Sequence, residues 1–133
     1  MKLLHVALSV QDLERSIAWY AHFGFKKSVE WHAEDGSLSI VHLIGESGNI
    51  ELLWQPDVKA QALPEHAPGD FSVAGLKHLC IETDDIERDI SRLKNKGIKP
   101  ATELTEARSL PNTRLIFFRD PDGNGVELMQ LGA

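Results

Sequence analysis

His5, Glu51, His78 and Glu127 are the residues of this sequence whose types and spacing could do chemistry. They form a His…Glu, His…Glu series in which each half sits in similar local sequence. HVALSVQDLERSI from His5 matches HLCIETDDIERDI from His78, and GNIELLWQ from Gly48 matches GNGVELMQ from Gly123. Two imidazoles and two carboxylates supply borderline nitrogen and hard oxygen donors. That set suits one divalent ion, Zn²⁺, Ni²⁺, Co²⁺, Mn²⁺ or Fe²⁺, rather than Ca²⁺ or an iron–sulfur cluster. Two carboxylates held close together repel, and a divalent cation between them restores neutrality. Any one such His or Glu, taken alone, is more often a satisfied interior or solvated residue than a ligand. The matched pairing is what favours a metal site.

The elements that must position these residues follow from the repeat. The constant shift that carries His5 to His78 also carries Asp12 to Asp85, Glu14 to Glu87, Arg15 to Arg88, Ile17 to Ile90 and Gly24 to Gly97. A few extra residues separate His from Glu in the second half, as a loop insertion would do. Leu3 to Val10 alternates, with Leu4, Val6, Leu8 and Val10 on one face and His5 on the other, which predicts a strand. Asp12 is placed to cap a helix through Ile17, Trp19, Tyr20 and Phe23, ended by Gly24. Strands follow over about 26–33, 38–44 and 49–55, so the unit reads βαβββ.

The second unit repeats this plan. It has a strand over 77–83, a helix between Asp85 and Gly97, a weak strand after Ile98, and strands over 114–119 and 125–131, with Asp120-Pro121-Asp122-Gly123 as the last turn. Within each strand the candidate ligand lies opposite the aliphatic set: His78 against Leu79 and Ile81, Glu51 against Ile50 and Leu52, Glu127 against Val126 and Leu128. All four can therefore line one concave surface.

Other residues carry less. His22, His32, His42 and His66 have no counterparts under the shift and are read as surface residues, and Cys80 as a small core or cavity-wall residue. Arg114 and Lys77 are the basic residues nearest the ligand strands and could hold an anionic group, although exposed strand residues are the more common case. Trp31, Trp54, Leu53, Phe117 and Met129 could wall a pocket, of which parity puts Leu53 and Met129 on the ligand face.

Composition bounds the rest. The 133 residues, 42% of them hydrophobic, suit a single domain with module one about 1–56, a linker about 57–75 and module two about 76–133. A net charge of −6, from 14 Lys and Arg against 20 acids, disfavours nucleic acid and anionic membrane as partners and leaves a small-molecule substrate. A single cysteine excludes an internal disulfide framework, and no long apolar run or signal-type h-region is present, so a cytoplasmic protein is expected.

With His5 in LLHVALSVQDLERSIAWY, Glu51 in NIELLWQ, His78 in GLKHLCIETDD and Glu127 in RDPDGNGVELMQ, the chain resembles the vicinal oxygen chelate superfamily, and within it the glyoxalase I (lactoylglutathione lyase) branch. The resemblance spans nearly the whole chain. It implies an α+β fold in which two tandem βαβββ modules form a curved mixed β-sheet around a central metal site, with His5, Glu51, His78 and Glu127 as ligands and Ni²⁺ or Zn²⁺ as the first-choice ion. It further implies conversion of the hemithioacetal of glutathione and a 2-oxoaldehyde into a 2-hydroxyacyl thioester. A glutamate, Glu127 before Glu51, would move the proton, and the protein would be a homodimer.

Two positions depart from the resembling bacterial enzymes. Ser9 stands where they carry an arginine for glutathione's carboxylate, and Gln55 where they carry an asparagine. Loss of such a charge-assisted anchor removes about 1.5 to 3 kcal/mol. The superfamily offers alternatives: a CoA-thioester epimerase, which also removes a proton beside a carbonyl; a dioxygenase, which uses two His and one carboxylate; and a drug-binding resistance protein, which lacks the metal set.

Overall fold

A computed structural model describes residues 1–132, and the chain divides into two compact units at Gln61/Ala62. The first unit runs β1 (His5–Ser9), α1 (Leu13–Ala21), β2 (Lys26–His32), β3 (Ser39–Ile44) and β4 (Asn49–Trp54). Its four strands form one mixed sheet in the order β1-β4-β3-β2, with β1 parallel to β4 and the other pairs antiparallel. The βαβββ plan read from the repeat is therefore present.

The helix starts where its sequence says it should. The Asp12 carboxylate accepts from the Arg15 backbone N–H at 3.0 Å, satisfying one of the donors a helix leaves open at its first turn. It ends at Ala21, two residues before Phe23, and Gly24 makes the reversal at φ +90°, a left-handed conformation that costs a residue with a Cβ. The helix lies against β2 and β4. Val41, Leu43, Ile50, Leu52, Val10 and Tyr20 are all buried, so the aliphatic face of the sheet is the core of this unit. The opposite face carries His5, Glu51 and their neighbours.

The second unit repeats the order with β5 (His78–Glu82), α2 (Ile86–Asn95), β6 (Thr105–Glu106), β7 (Arg114–Arg119) and β8 (Gly125–Gln130), and its sheet is ordered β5-β8-β7-β6. Asp85 caps α2 through the Arg88 N–H at 3.0 Å, and Gly97 takes φ +80°, as at the equivalent positions of the first unit. Ile86, Ile90 and Leu93 of the helix and Ile116, Phe118, Val126 and Leu128 of the sheet are buried.

The structure adds detail at three places. The weak strand expected after Ile98 is a two-residue strand, Thr105–Glu106, pairing Thr105 with Leu115 and Glu106 with Arg114. Pro100 cannot donate to a ladder. Just beyond it the Ala101 N–H donates to Phe117 O at 2.8 Å, while the Phe117 N–H donates to the Thr102 hydroxyl at 3.0 Å. A side chain thus replaces the ladder there. Next, the stretch read as a linker is in large part built into the second unit: the Arg119 guanidinium donates to Pro64 O at 2.8 Å, and Pro68 O serves the site described below. Last, Arg114 is committed elsewhere, donating to Glu87 at 2.7 Å and to Gln130 Oε1 at 3.1 Å. It therefore ties β7 to α2 and β8 on the aliphatic face. No helix among the described residues is long and apolar enough to cross a membrane.

Candidate metal centre

Each unit brings its own His and Glu together, and strand register is the reason. In the first unit β1 runs parallel to β4 with Ala7 beside Glu51, placing His5 one pleat away on the same face. His5 Nε2 approaches Glu51 Oε1 at 3.8 Å. In the second unit Cys80 lies beside Glu127, and His78 Nε2 approaches Glu127 Oε2 at 3.2 Å. Glu127 is the more enclosed carboxylate, its side chain 8% exposed against 18% for Glu51.

The His78 ring is fixed by a second contact. Its Nδ1 lies 2.8 Å from Pro68 O. A carbonyl can only accept, so Nδ1 carries the proton, and in the neutral ring the Nε2 lone pair is the atom that faces Glu127. Two lone pairs 3.2 Å apart need a positive charge between them, either a proton or a cation. Anchoring one ring nitrogen to a carbonyl so that the other presents its lone pair is how metal-bound histidines are oriented. The donor set and its tautomer therefore fit a divalent ion.

Pro68 reaches His78 because β8 begins with glycine. Gly125 is the register partner of His78, and a Cβ there would collide with Ala67 O. The missing side chain lets residues 66–69 lie down on the sheet.

Of the two places expected for Cys80, core or cavity wall, it is not in the core: it is exposed, on the ligand face, beside Glu127. Its sulfur is nevertheless crowded enough that burial, reinforced by the negative charge and hydrogen bond of Glu127, pushes the thiol up to about 12. It stays protonated near neutral pH and is no nucleophile there.

His42 corrects the reading of the unmatched histidines as surface groups without a site role. It stands directly across from Glu51 in the β3–β4 pairing, with Nε2 3.4 Å from Glu51 Oε2. His5, His42 and Glu51 offer ligand atoms that all lie within 4.8 Å of one another, a group able to hold a metal ion. His32 is engaged away from this group, by Ser39 at 2.7 Å and Glu30 at 3.0 Å.

The equivalent of His42 in the second unit is Phe117, directly across from Glu127 and edge-on to His78, with ring centroids 4.9 Å apart. Phe117 therefore lies on the ligand face. So does Trp31, through its pairing with Ile40, and parity within single strands had placed only Leu53 and Met129 there.

Residues 2–128 match the sequence model of the Glyoxalase/Bleomycin resistance protein/Dioxygenase superfamily. The chain belongs to that superfamily. Among its superfamily relatives is the uncharacterised protein YwkD of Bacillus subtilis, 33% identical over 95% of this chain and 94% of that one. Human mitochondrial methylmalonyl-CoA epimerase is 28% identical over 98% of this chain and 72% of its own length. The crystal structure of glyoxalase I from Zea mays superposes with a TM-score of 0.79 at 27% identity, covering 99% of this chain and 45% of the maize chain. The chain thus spans about half the length of that superfamily enzyme.

Proposed function

We propose that this protein is a metal-dependent enzyme that moves a proton on a carbon adjacent to a carbonyl, with His5, Glu51, His78 and Glu127 as metal ligands and a glyoxalase I-like hemithioacetal as substrate. The observation that carries the reading is the His78–Glu127 pair, an imidazole with one nitrogen anchored to Pro68 and the other aimed at a buried carboxylate. The His5–Glu51 pair supports it as a matching half-site. A divalent ion held by such residues would supply the charge that stabilises an oxyanion as the proton leaves.

Glu127, the more enclosed carboxylate, would take the proton from C1 of the hemithioacetal and return it to C2, giving the 2-hydroxyacyl thioester. Glu51 is the alternative base. The substrate is a small molecule, and a homodimer, drawn from the family resemblance, is the working form.

A second reading shares the proton transfer but changes the substrate. Similarity to an enzyme named methylmalonyl-CoA epimerase, together with serine at position 9, favours an acyl-CoA thioester. The two separate in one experiment. Protein loaded in turn with Ni²⁺, Zn²⁺ and Co²⁺ is given the methylglyoxal–glutathione hemithioacetal, followed by thioester absorbance, and methylmalonyl-CoA in D₂O, followed by loss of the C2 proton signal. Thioester formation supports the first reading, and deuterium uptake alone the second. Neither with any metal overturns both.

A further inference from the structure

The two half-sites differ in the residue directly across from the glutamate on the next antiparallel strand. Glu51 has His42 across from it and Glu127 has Phe117. A phenyl ring cannot ligate, so the second unit has no donor across from its glutamate where the first has an imidazole. We propose that His5, His42 and Glu51 form a metal-binding triad complete within the first unit, with His42 a direct ligand, so that this unit holds a divalent cation without donors from the second. The inference rests on the metal-dependent reading above and assigns a ligand that reading does not contain.

The geometry carries it. Glu51 presents Oε1 to His5 Nε2 at 3.8 Å and Oε2 to His42 Nε2 at 3.4 Å, one oxygen to each ring. Both separations exceed the roughly 2.7–2.9 Å of a charge-assisted hydrogen bond. They match the roughly 3 to 4 Å between donors that share one ion at bonds of about 2.1 Å. The two rings stand edge to face, centroids 6.0 Å apart and 71° between planes, so the nitrogens converge from two directions on one carboxylate.

The scaffold is stiff where it matters. β3 and β4 are paired without a register shift from Ser39–Trp54 to Ile44–Asn49, and Val41, Leu43, Ile50 and Leu52 behind them are buried. His42 and Glu51 thus project from a backbone whose register is fixed, with His5 on the strand paired to the other side of β4.

The charge balance indicates what the ion would then meet. Two neutral imidazoles and one carboxylate leave a divalent ion with net positive charge and open coordination positions. His42, its side chain 37% exposed, leaves the group open to solvent. The triad therefore suits an anionic oxygen ligand of a small molecule, such as a carboxylate or an enolate oxygen.

The test uses the full chain, with Zn²⁺ affinity measured by competition with a chromogenic chelator and Co²⁺ loading followed by absorption and paramagnetically shifted imidazole N–H resonances. The double variant His78→Ala/Glu127→Gln dismantles the second half-site. It should retain one Zn²⁺ per chain and, with Co²⁺, show two shifted imidazole resonances. Adding His42→Phe, the residue the repeat itself uses, should weaken Zn²⁺ by more than about tenfold and remove one of the two resonances; loss of mere outer support also costs about 10- to 100-fold, but leaves both resonances in place. His42→Gln should do the same, which guards against a folding artefact.

Loss of all metal from the double variant overturns the triad while leaving the four-ligand reading standing. Unchanged affinity in the double variant supports the triad and overturns the four-ligand reading. A His42 variant within tenfold of its parent, or with both resonances intact, overturns the triad. A wild-type chain that binds neither ion overturns both.

Discussion

Gly125 lies directly across from His78 in the parallel pairing of β5 and β8, and the absence of its side chain lets the Ala67–Pro68 backbone rest on the strand and hold the imidazole. The glycine thus acts on the candidate metal site through the Pro68 carbonyl. Gly125→Ala should push residues 66–69 off the sheet, release Nδ1 of His78, and weaken metal binding by about 10- to 100-fold while the fold persists. Titration with Zn²⁺, with ring tautomers followed by long-range ¹⁵N spectra, checks this. An alanine variant with wild-type affinity and an unchanged His78 tautomer would sink the argument.

The two glutamates should separate in function. Glu127→Gln keeps the shape of the side chain but cannot accept a proton as a carboxylate does, and substrate proton exchange should fall by about 100-fold or more. Glu51→Gln should lower metal content more than it lowers the rate per bound metal. Exchange rates normalised to metal by elemental analysis decide this, and equal normalised losses would assign the two residues equivalent roles.

Metal removal should cost stability as well as activity. An ion present at about a thousand times its dissociation constant stabilises the folded state by about 4 kcal/mol. Chelation should therefore lower the melting temperature by several degrees, reversibly on adding Zn²⁺. Scanning calorimetry with and without chelator measures it. The shift should shrink in His78→Ala, which leaves a weaker site.

The acid limb of stability should depend on Asp89. Partial burial works to raise this carboxyl, but the Thr83 hydroxyl at 2.5 Å and the Arg92 and Arg88 guanidiniums outweigh it and hold the group below its ordinary value. A carboxyl depressed in the folded state adds stability that is present above its ordinary value and lost as pH falls through the lowered one. In Asp89→Asn that contribution is gone. Urea midpoints measured from neutral pH to about pH 2 should show the gap between wild type and variant closing as the solution is acidified.

The paired His…Glu spacing and the alternation of Val6, Leu8 and Val10 with His5, Ala7 and Ser9 made both sheets and their polar faces readable from sequence. His42 escaped because the repeat exposes only what the two halves share, and His42 is where they differ. A signal existed: the turn between Ile44 and Asn49, closed by the Gly45 N–H to Gly48 O bond at 2.9 Å, fixes the hairpin register, and counting back from it sets His42 opposite Glu51. The same count from the Asp120 turn sets Phe117 opposite Glu127. The place of β6 was not countable, because Pro100 and the Thr102 hydroxyl replace the ladder that would have defined it.

Two of the strands that end the sheets, β6 and β2, face the hazard of recruiting further chains in different ways. β6 offers two residues, too short a template for another strand to add to. β2 offers seven, all exposed, including Val29 and Trp31, and what interrupts it is the register shift between Lys27 and Val29 together with the ammonium groups of Lys26 and Lys27. Resistance to fibril growth along that edge therefore rests on a local irregularity and on charged side chains, Lys26 and the Lys27–Glu30 pair at 2.6 Å, and replacing those lysines with threonine or valine would leave an exposed edge with Val29 and Trp31 and fewer of the charges that discourage strand addition.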